Sequence, residues 1–318
     1  MLSRSMSRHR SLATALAFAV AILTFGCRSV PEQAGDEPTL KQVMVNGTAI
    51  RYVEQGHGTP VVFVHGAISD HRYWEYQRDA VAKRYRFIAL DRRYFGTAPW
   101  PDTGVRVSQA TDAHDLAAFI RKLAIAPAFL VGTSGGANVV LITAVRHPEV
   151  VRAVLVQEPG LRSILADSAA RTIVGEGEQN RAAARAAARA GNMTEAARLF
   201  VDFARGQPGS FDQLSPALKA MFVDNARVLS LSATPEVPIA CEELGRIRVP
   251  VTITKGQLTK PQSRILADAA HRCIPQSQLV TIPNASHGAP TENPSAFNEA
   301  LLAFLGRLAR QPGVAAAR

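Results

Sequence analysis

Residues 128–147 read AFLVGTSGGANVVLITAVRH. An apolar run, Phe129-Leu130-Val131, ends in Gly132-Thr133-Ser134-Gly135-Gly136, and an apolar segment from Ala137 to Val145 follows at once. The run reads as a buried strand and the segment as a buried helix. Between them lies a sharp turn that pushes the Ser134 hydroxyl clear of the backbone. Glycines at positions 132 and 136 keep side chains out of a turn where they would strike neighbouring backbone. The helix beginning near Gly135 brings unpaired N–H groups and a positive dipole end to the serine. Gly-x-Ser-x-Gly is a short pattern that also occurs in glycine-rich connections of ordinary α/β proteins, so its surroundings decide its meaning.

Those surroundings alternate. Val43–Val53 reads as two strands about an Asn46-Gly47 turn. Val61–Val64, Phe87–Leu90 and Val151–Val156 are continuous apolar runs, as strands buried on both faces are. Leu116–Leu123 has helical spacing behind a polar start at residues 108–112. The alternation stops after Pro159, and residues 161–245 hold alanine- and arginine-rich helical segments without core strands. Arg181, Arg185 and Arg189 recur every fourth residue, the pattern of a solvated helix face. Thr194–Arg205 and Ser215–Leu229 read as further helices. Strand–helix alternation resumes with Val249–Thr254, Gln262–Ala270, Gln278–Ile282 and Ser295–Leu308. In the last, Phe297, Ala300, Leu301, Phe304 and Leu305 share one face. The fold class is α/β, a mostly parallel sheet covered on both sides. The domain reading is a core at 41–160 and 246–312, a helical cap at 161–245 and a tail at 313–318.

The first 40 residues stand apart. Arg4, Arg8 and Arg10 precede an uncharged stretch of 15 residues, Leu12–Gly26. That is short of the roughly 20 residues of a membrane-spanning helix and fits a secretory signal at 1–26. Gly26-Cys27 resembles the cleavage junction of bacterial lipoproteins, which would make Cys27 a lipidated N-terminus in a bacterial envelope. Thr24 stands where that pattern prefers leucine, and ordinary cleavage nearby is the alternative. Residues 27–40 read as a flexible tether. In an oxidising compartment the two remaining cysteines, Cys241 and Cys273, either pair or stay as buried thiols. The net charge is +10, and removing residues 1–26 takes away three arginines and no acid, leaving +7. The basic residues are scattered, which gives no nucleic-acid module. Membrane contact is expected through the lipid anchor alone.

A serine needs a base to take its proton. Of eight histidines, His287 stands in a loop just past the last strand, in Pro283-Asn284-Ala285-Ser286-His287-Gly288. Loops at the carboxyl ends of parallel strands gather at one sheet edge, where Ser134 also lies. His147 and His271 end helices, His114 lies within one, and His57 and His71 lie in loops. His65-Gly66-Ala67 follows strand Val61–Val64. Backbone N–H groups of Ala67 and Gly135 would form an oxyanion hole, with His65 a structural hydrogen-bonding residue rather than a base.

With these residues in this order the chain resembles the α/β-hydrolase superfamily over residues 41 to 309. Asp91-Arg92-Arg93-Tyr94-Phe95-Gly96 stands where many members have Asp-x-x-Gly-x-Gly. The resemblance implies an eight-stranded α/β-hydrolase sheet, a helical cap inserted after the sixth strand, and hydrolysis of esters or related substrates without metal or cofactor. Most members carry an aspartate after the seventh strand, but Lys255-Gly256-Gln257-Leu258-Thr259-Lys260-Pro261 has no carboxylate. Some relatives carry the acid after the sixth strand, where Glu158 stands. Glu158 either orients His287 or bonds backbone at a strand end, with a Ser–His pair doing the chemistry. A serine nucleophile speaks against dehalogenase and epoxide-hydrolase chemistry. It leaves acyl transfer, perhydrolysis, carbon–carbon hydrolysis and a non-catalytic binding protein as alternatives to an esterase. The partner is a small acyl substrate, and Trp74, Tyr94, Phe95 and Trp100 either line its pocket or pack in the core. Substrate identity and oligomeric state are not written in these residues.

Overall fold

A computed structural model describes residues 38–99, 106–233 and 239–309. Cys27, Trp100, the expected signal at 1–26 and the tail at 313–318 lie outside the described residues. Eight strands form the main sheet: β1 (Lys41–Val45), β2 (Thr48–Gln55), β3 (Pro60–Val64), β4 (Arg86–Leu90), β5 (Ala128–Thr133), β6 (Val151–Gln157), β7 (Val251–Gly256) and β8 (Gln278–Ile282). Their spatial order is β1-β2-β4-β3-β5-β6-β7-β8. β2 runs antiparallel to both β1 and β4, and the other pairs are parallel. The β1–β2 hairpin closes at Asn46 and Gly47, with φ of 45° and 73°. That pair of left-handed residues makes the turn whose twist suits a two-residue hairpin.

The helices are α1 (Glu75–Ala82), α2 (Gln109–Lys122), α3 (Gly135–Arg146), α4 (Ser168–Gly175), α5 (Glu178–Arg189), α6 (Met193–Arg205), α7 (Pro216–Asn225), α8 (Cys241–Leu244), α9 (Pro261–Cys273), α10 (Ala289–Glu292) and α11 (Pro294–Ala309). Alternate residues of the central strands feed two cores. Val62, Val64, Leu130 and Ile253 pack with Phe119, Val139 and Leu266 of α2, α3 and α9. Val61, Phe63, Phe129 and Leu155 pack with Phe297, Leu301 and Phe304 of α11 on the other face. Burial of both faces explains why these strands read as unbroken apolar runs. The sheet is therefore the mostly parallel eight-stranded one expected, with the helical insertion after its sixth strand.

Two segments carried weaker signals. His71, expected in a loop, opens a 3-10 turn over His71–Trp74 that leads into α1. Asp70 caps that turn, accepting from the Arg72 N–H at 3.0 Å. α1 buries Gln77 and Val81 alone, too few apolar positions for a helical period to show. α4 buries Val174 alone. Cys241 and Cys273 form a disulfide, with Cα atoms 4.9 Å apart, that ties α8 to the end of α9. Among the described residues no helix is long and apolar enough to cross a membrane.

Candidate active site

Ser134 sits between β5 and α3 with φ 52° and ψ −118°, a backbone conformation that costs a non-glycine residue energy. The turn is tight because backbone passes close by. A Cβ at Gly132 would lie 2.6 Å from the Gly136 carbonyl oxygen, and one at Gly136 would lie 2.3 Å from the Val64 and His65 carbonyl oxygens. The Ser134 hydroxyl does not cap α3. It lines a cavity together with His287, Gly66 and Ala67.

Glu158 follows β6, the neighbour of β5, and also has a positive φ, 46°. Its carboxylate is buried and fully engaged. Oε2 accepts from His287 Nδ1 at 2.7 Å and from the Thr259 hydroxyl at 2.8 Å, and Oε1 accepts from the Gly256 N–H at 2.8 Å. Burial alone would raise this carboxyl. The hydrogen bonds from His287, Gly256 and Thr259 outweigh it and hold the group below the ordinary Glu value of 4.5. The loop after β7 thus supplies donors to the acid rather than the acid itself. An imidazole whose Nδ1–H is fixed on a carboxylate presents Nε2 as the basic nitrogen.

His65 is fully buried, with Nε2 accepting from the Arg92 N–H at 3.0 Å. Nδ1 therefore carries the proton and donates to the Gly66 carbonyl at 2.8 Å. Burial, with the Arg92 charge, holds the ring well below the usual histidine range, so it stays neutral. It pins the turn that presents Ala67. Gly135 is the first residue of α3, so its N–H has no intrahelical acceptor. A Cβ on Gly135 would stand 3.8 Å from the Ala67 nitrogen, so the Ala67 backbone passes beside the start of α3.

Ser134 opens onto unequal spaces. One is an apolar pocket of about 50 Å³ bounded by Tyr73, Phe200, Val201 and Phe222. Another, larger one is a lobe of about 370 Å³ beside Ala67 and Gly135. Of the aromatic residues singled out in the sequence, Phe95 lines the larger lobe. Trp74 is fully buried and packs between Phe63 and Phe297, 5.1 and 6.3 Å away between ring centres, away from both spaces. Tyr94 borders neither. Two arginines expected on a solvated helix face, Arg181 and Arg185, are half-buried and line the larger lobe, while Arg189 is exposed. The period of four in α5 was visible in the sequence, but its direction is set by how the helix lies on the core. Phe200, Phe222, Arg162, Thr259 and Lys260 went unmarked because nothing local distinguishes them.

The sequence profile of the alpha/beta hydrolase family matches residues 61–300. The chain belongs to that family. It is similar to the AB hydrolase superfamily protein YisY of Bacillus subtilis, with 26% identity over 270 residues, 78% of this chain and 92% of that one. A shorter stretch is 32% identical over 122 residues to 2-(acetamidomethylene)succinate hydrolase of Mesorhizobium japonicum, covering 38% of this chain and 43% of that protein. Among solved structures, carboxylesterase CesB (YbfK) from Bacillus subtilis superposes with a TM-score of 0.69 at 19% identity, over 85% of this chain and 92% of that one. At that identity the likeness speaks for the fold. The protein is an α/β-fold hydrolase whose insertion lies over the turn bearing Ser134.

Proposed function

We propose that this hydrolase cleaves a small or medium acyl ester, or a related carbonyl substrate, through an acyl-enzyme on Ser134. The observation that carries the reading is the 2.7 Å hydrogen bond from His287 Nδ1 to buried Glu158, with His287 and Ser134 lining one cavity. His287 Nε2 takes the Ser134 proton as Oγ bonds to the acyl carbon, and the same proton then goes to the departing alcohol oxygen as the carbon–oxygen bond breaks. Glu158 remains ionised and stabilises the imidazolium. The N–H groups of Ala67 and Gly135 receive the oxyanion, a contribution worth about 3–4 kcal/mol per donor in such sites. Water then repeats the sequence on the acyl-enzyme and frees the acid.

The basic, apolar and Gly26-Cys27 segments support export of the chain with Cys27 lipidated, and the disulfide fits an oxidising compartment. The catalytic reading is tested with a fluorophosphonate probe on folded protein. Mass mapping is expected to find the adduct on Ser134. An unlabelled serine in folded protein would favour a binding protein on this fold.

A further inference from the structure

Glu158 fixes the ring of His287, and a second carboxylate holds its backbone. Glu292, the last residue of α10, turns back over the loop that carries the histidine. Its Oε1 accepts from the Ser286 hydroxyl at 2.8 Å and from the Gly288 N–H at 3.2 Å, and its Oε2 accepts from the Ser286 N–H. One side chain thus receives the main-chain donors on either side of His287. A carboxylate that reaches back one turn is an ordinary way to satisfy the start of a helix. α10 is a single turn, however, and two of the three bonds go to Ser286, which precedes the histidine.

The same carboxylate is tied to the insertion. Arg205, the last residue of α6, places Nε 3.0 Å from Glu292 Oε1 and donates from Nη2 to the Thr291 hydroxyl at 3.1 Å. The Thr291 hydroxyl in turn donates to the Gly288 carbonyl at 3.0 Å. Both side chains of the ion pair are 15% exposed, so solvent screens it less than a surface pair. A Cβ at Gly288 would lie 2.7 Å from Glu292 Oε1 and 3.1 Å from Arg205 Nη2. The glycine after the histidine is what lets both groups close on the loop. α6 also gives Phe200, Val201 and Ala204 to the apolar pocket that Ser134 and His287 line. The helix that walls this pocket is therefore the helix that braces the histidine loop.

We propose that Glu292 is a positioning residue for His287, and that its ion pair with Arg205 makes the alignment of the histidine depend on the seating of α6. The pair acts through the main chain of Ser286 and Gly288, which sets where His287 Nε2 stands relative to Ser134 Oγ. This rests on the serine-hydrolase reading and adds to it a link between the insertion and the base. Proton transfer needs the base within hydrogen-bond reach, so a displaced imidazole loses rate while substrate binding is spared.

The test compares wild type, Glu292→Gln, Arg205→Ala and the double variant, each shown folded by circular dichroism. Turnover of 4-nitrophenyl acetate is measured together with the downfield proton NMR signal of His287 Nδ1–H, assigned by its loss in His287→Gln. Each single variant is expected to lose about tenfold in kcat, with KM for Glu292→Gln within about twofold of wild type. The double variant is expected to be no slower than the slower single one, as for two groups acting as a unit. The His287 signal should shift or broaden in all three. Added methylguanidinium should restore kcat severalfold in Arg205→Ala and do nothing for Glu292→Gln. Arg205→Ala leaves the loop carboxylate in place, so it carries the test where Glu292→Gln fails to fold. Wild-type kcat and an unmoved signal in the folded single variants would overturn the inference and leave the hydrolase reading intact. So would a loss confined to KM, since Arg205 would then be only a wall of the pocket. Losses that multiply in the double variant would do the same, since the two side chains would then act independently. No turnover by wild type, with Ser134 inert to the fluorophosphonate, would remove the hydrolase reading and this inference with it.

Discussion

Glu158 offers two oxygens to three donors, His287 Nδ1, the Thr259 hydroxyl and the Gly256 N–H. An amide has one oxygen. In Glu158→Gln the amide NH2 must face either the Gly256 N–H or the His287 and Thr259 pair, and in the second case His287 is driven to the wrong tautomer. The expected loss in ester kcat/KM is roughly 10³–10⁴-fold, as for the matching change in other triads. A variant within about twofold of wild type would make Glu158 a backbone-bonding residue and leave a Ser–His pair. The same carboxylate makes stability depend on pH. Its folded value lies below the ordinary 4.5, so its contribution is full above the ordinary carboxylate range and is lost as pH falls through the folded value. The thermal midpoint of wild type should therefore exceed that of Glu158→Gln at about pH 6 and approach it at about pH 3. A constant gap would mean that the carboxylate is not stabilised by its partners. Ser134 and His287 could be singled out in the sequence because each sits in a local turn motif. Thr259 could not, because its partner is 101 residues away in the chain.

At the scale of elements, the insertion is fastened to the core by buried polar contacts at the end of α7. Asn225 is fully buried, accepts from the Gly96 N–H at 2.7 Å and donates to Asp70 Oδ2 at 2.7 Å. Arg72 reaches Asp224 at 2.9 Å beside it. Asn225→Ala leaves the Gly96 N–H without this acceptor and Asp70 without one of its donors, which costs about 1–3 kcal/mol. Urea unfolding should show a lower midpoint by that amount, with ester turnover reduced because the helices over Ser134 lose their anchor. A shift below about 0.5 kcal/mol would mean that apolar contacts such as Phe222 on Tyr73 hold the insertion alone. The strands of the sheet were legible because burial on both faces leaves unbroken apolar runs. α1 and α4 were not, since each buries too few side chains to impose a period. The arginine face of α5 was legible as a pattern but not as a direction, because a helix wheel does not say what lies opposite it.

Over the whole molecule the topology gathers Ser134, Glu158 and His287 from the ends of β5, β6 and β8. The parallel order makes these carboxyl ends meet at one edge. Glu158, just past β6, reaches the loop after β7 because those two strands are neighbours. Residue order along the chain and alternation of strand and helix carried this much; the shape and charge of the cavity arose only when the insertion folded over the edge. The account stands or falls on Ser134. Wild type and Ser134→Ala should be compared on a panel of 4-nitrophenyl esters of varied acyl length, with circular dichroism showing both folded. The account predicts turnover by wild type and a loss of at least about 10³-fold in kcat for Ser134→Ala. Equal rates for the two folded proteins would contradict it.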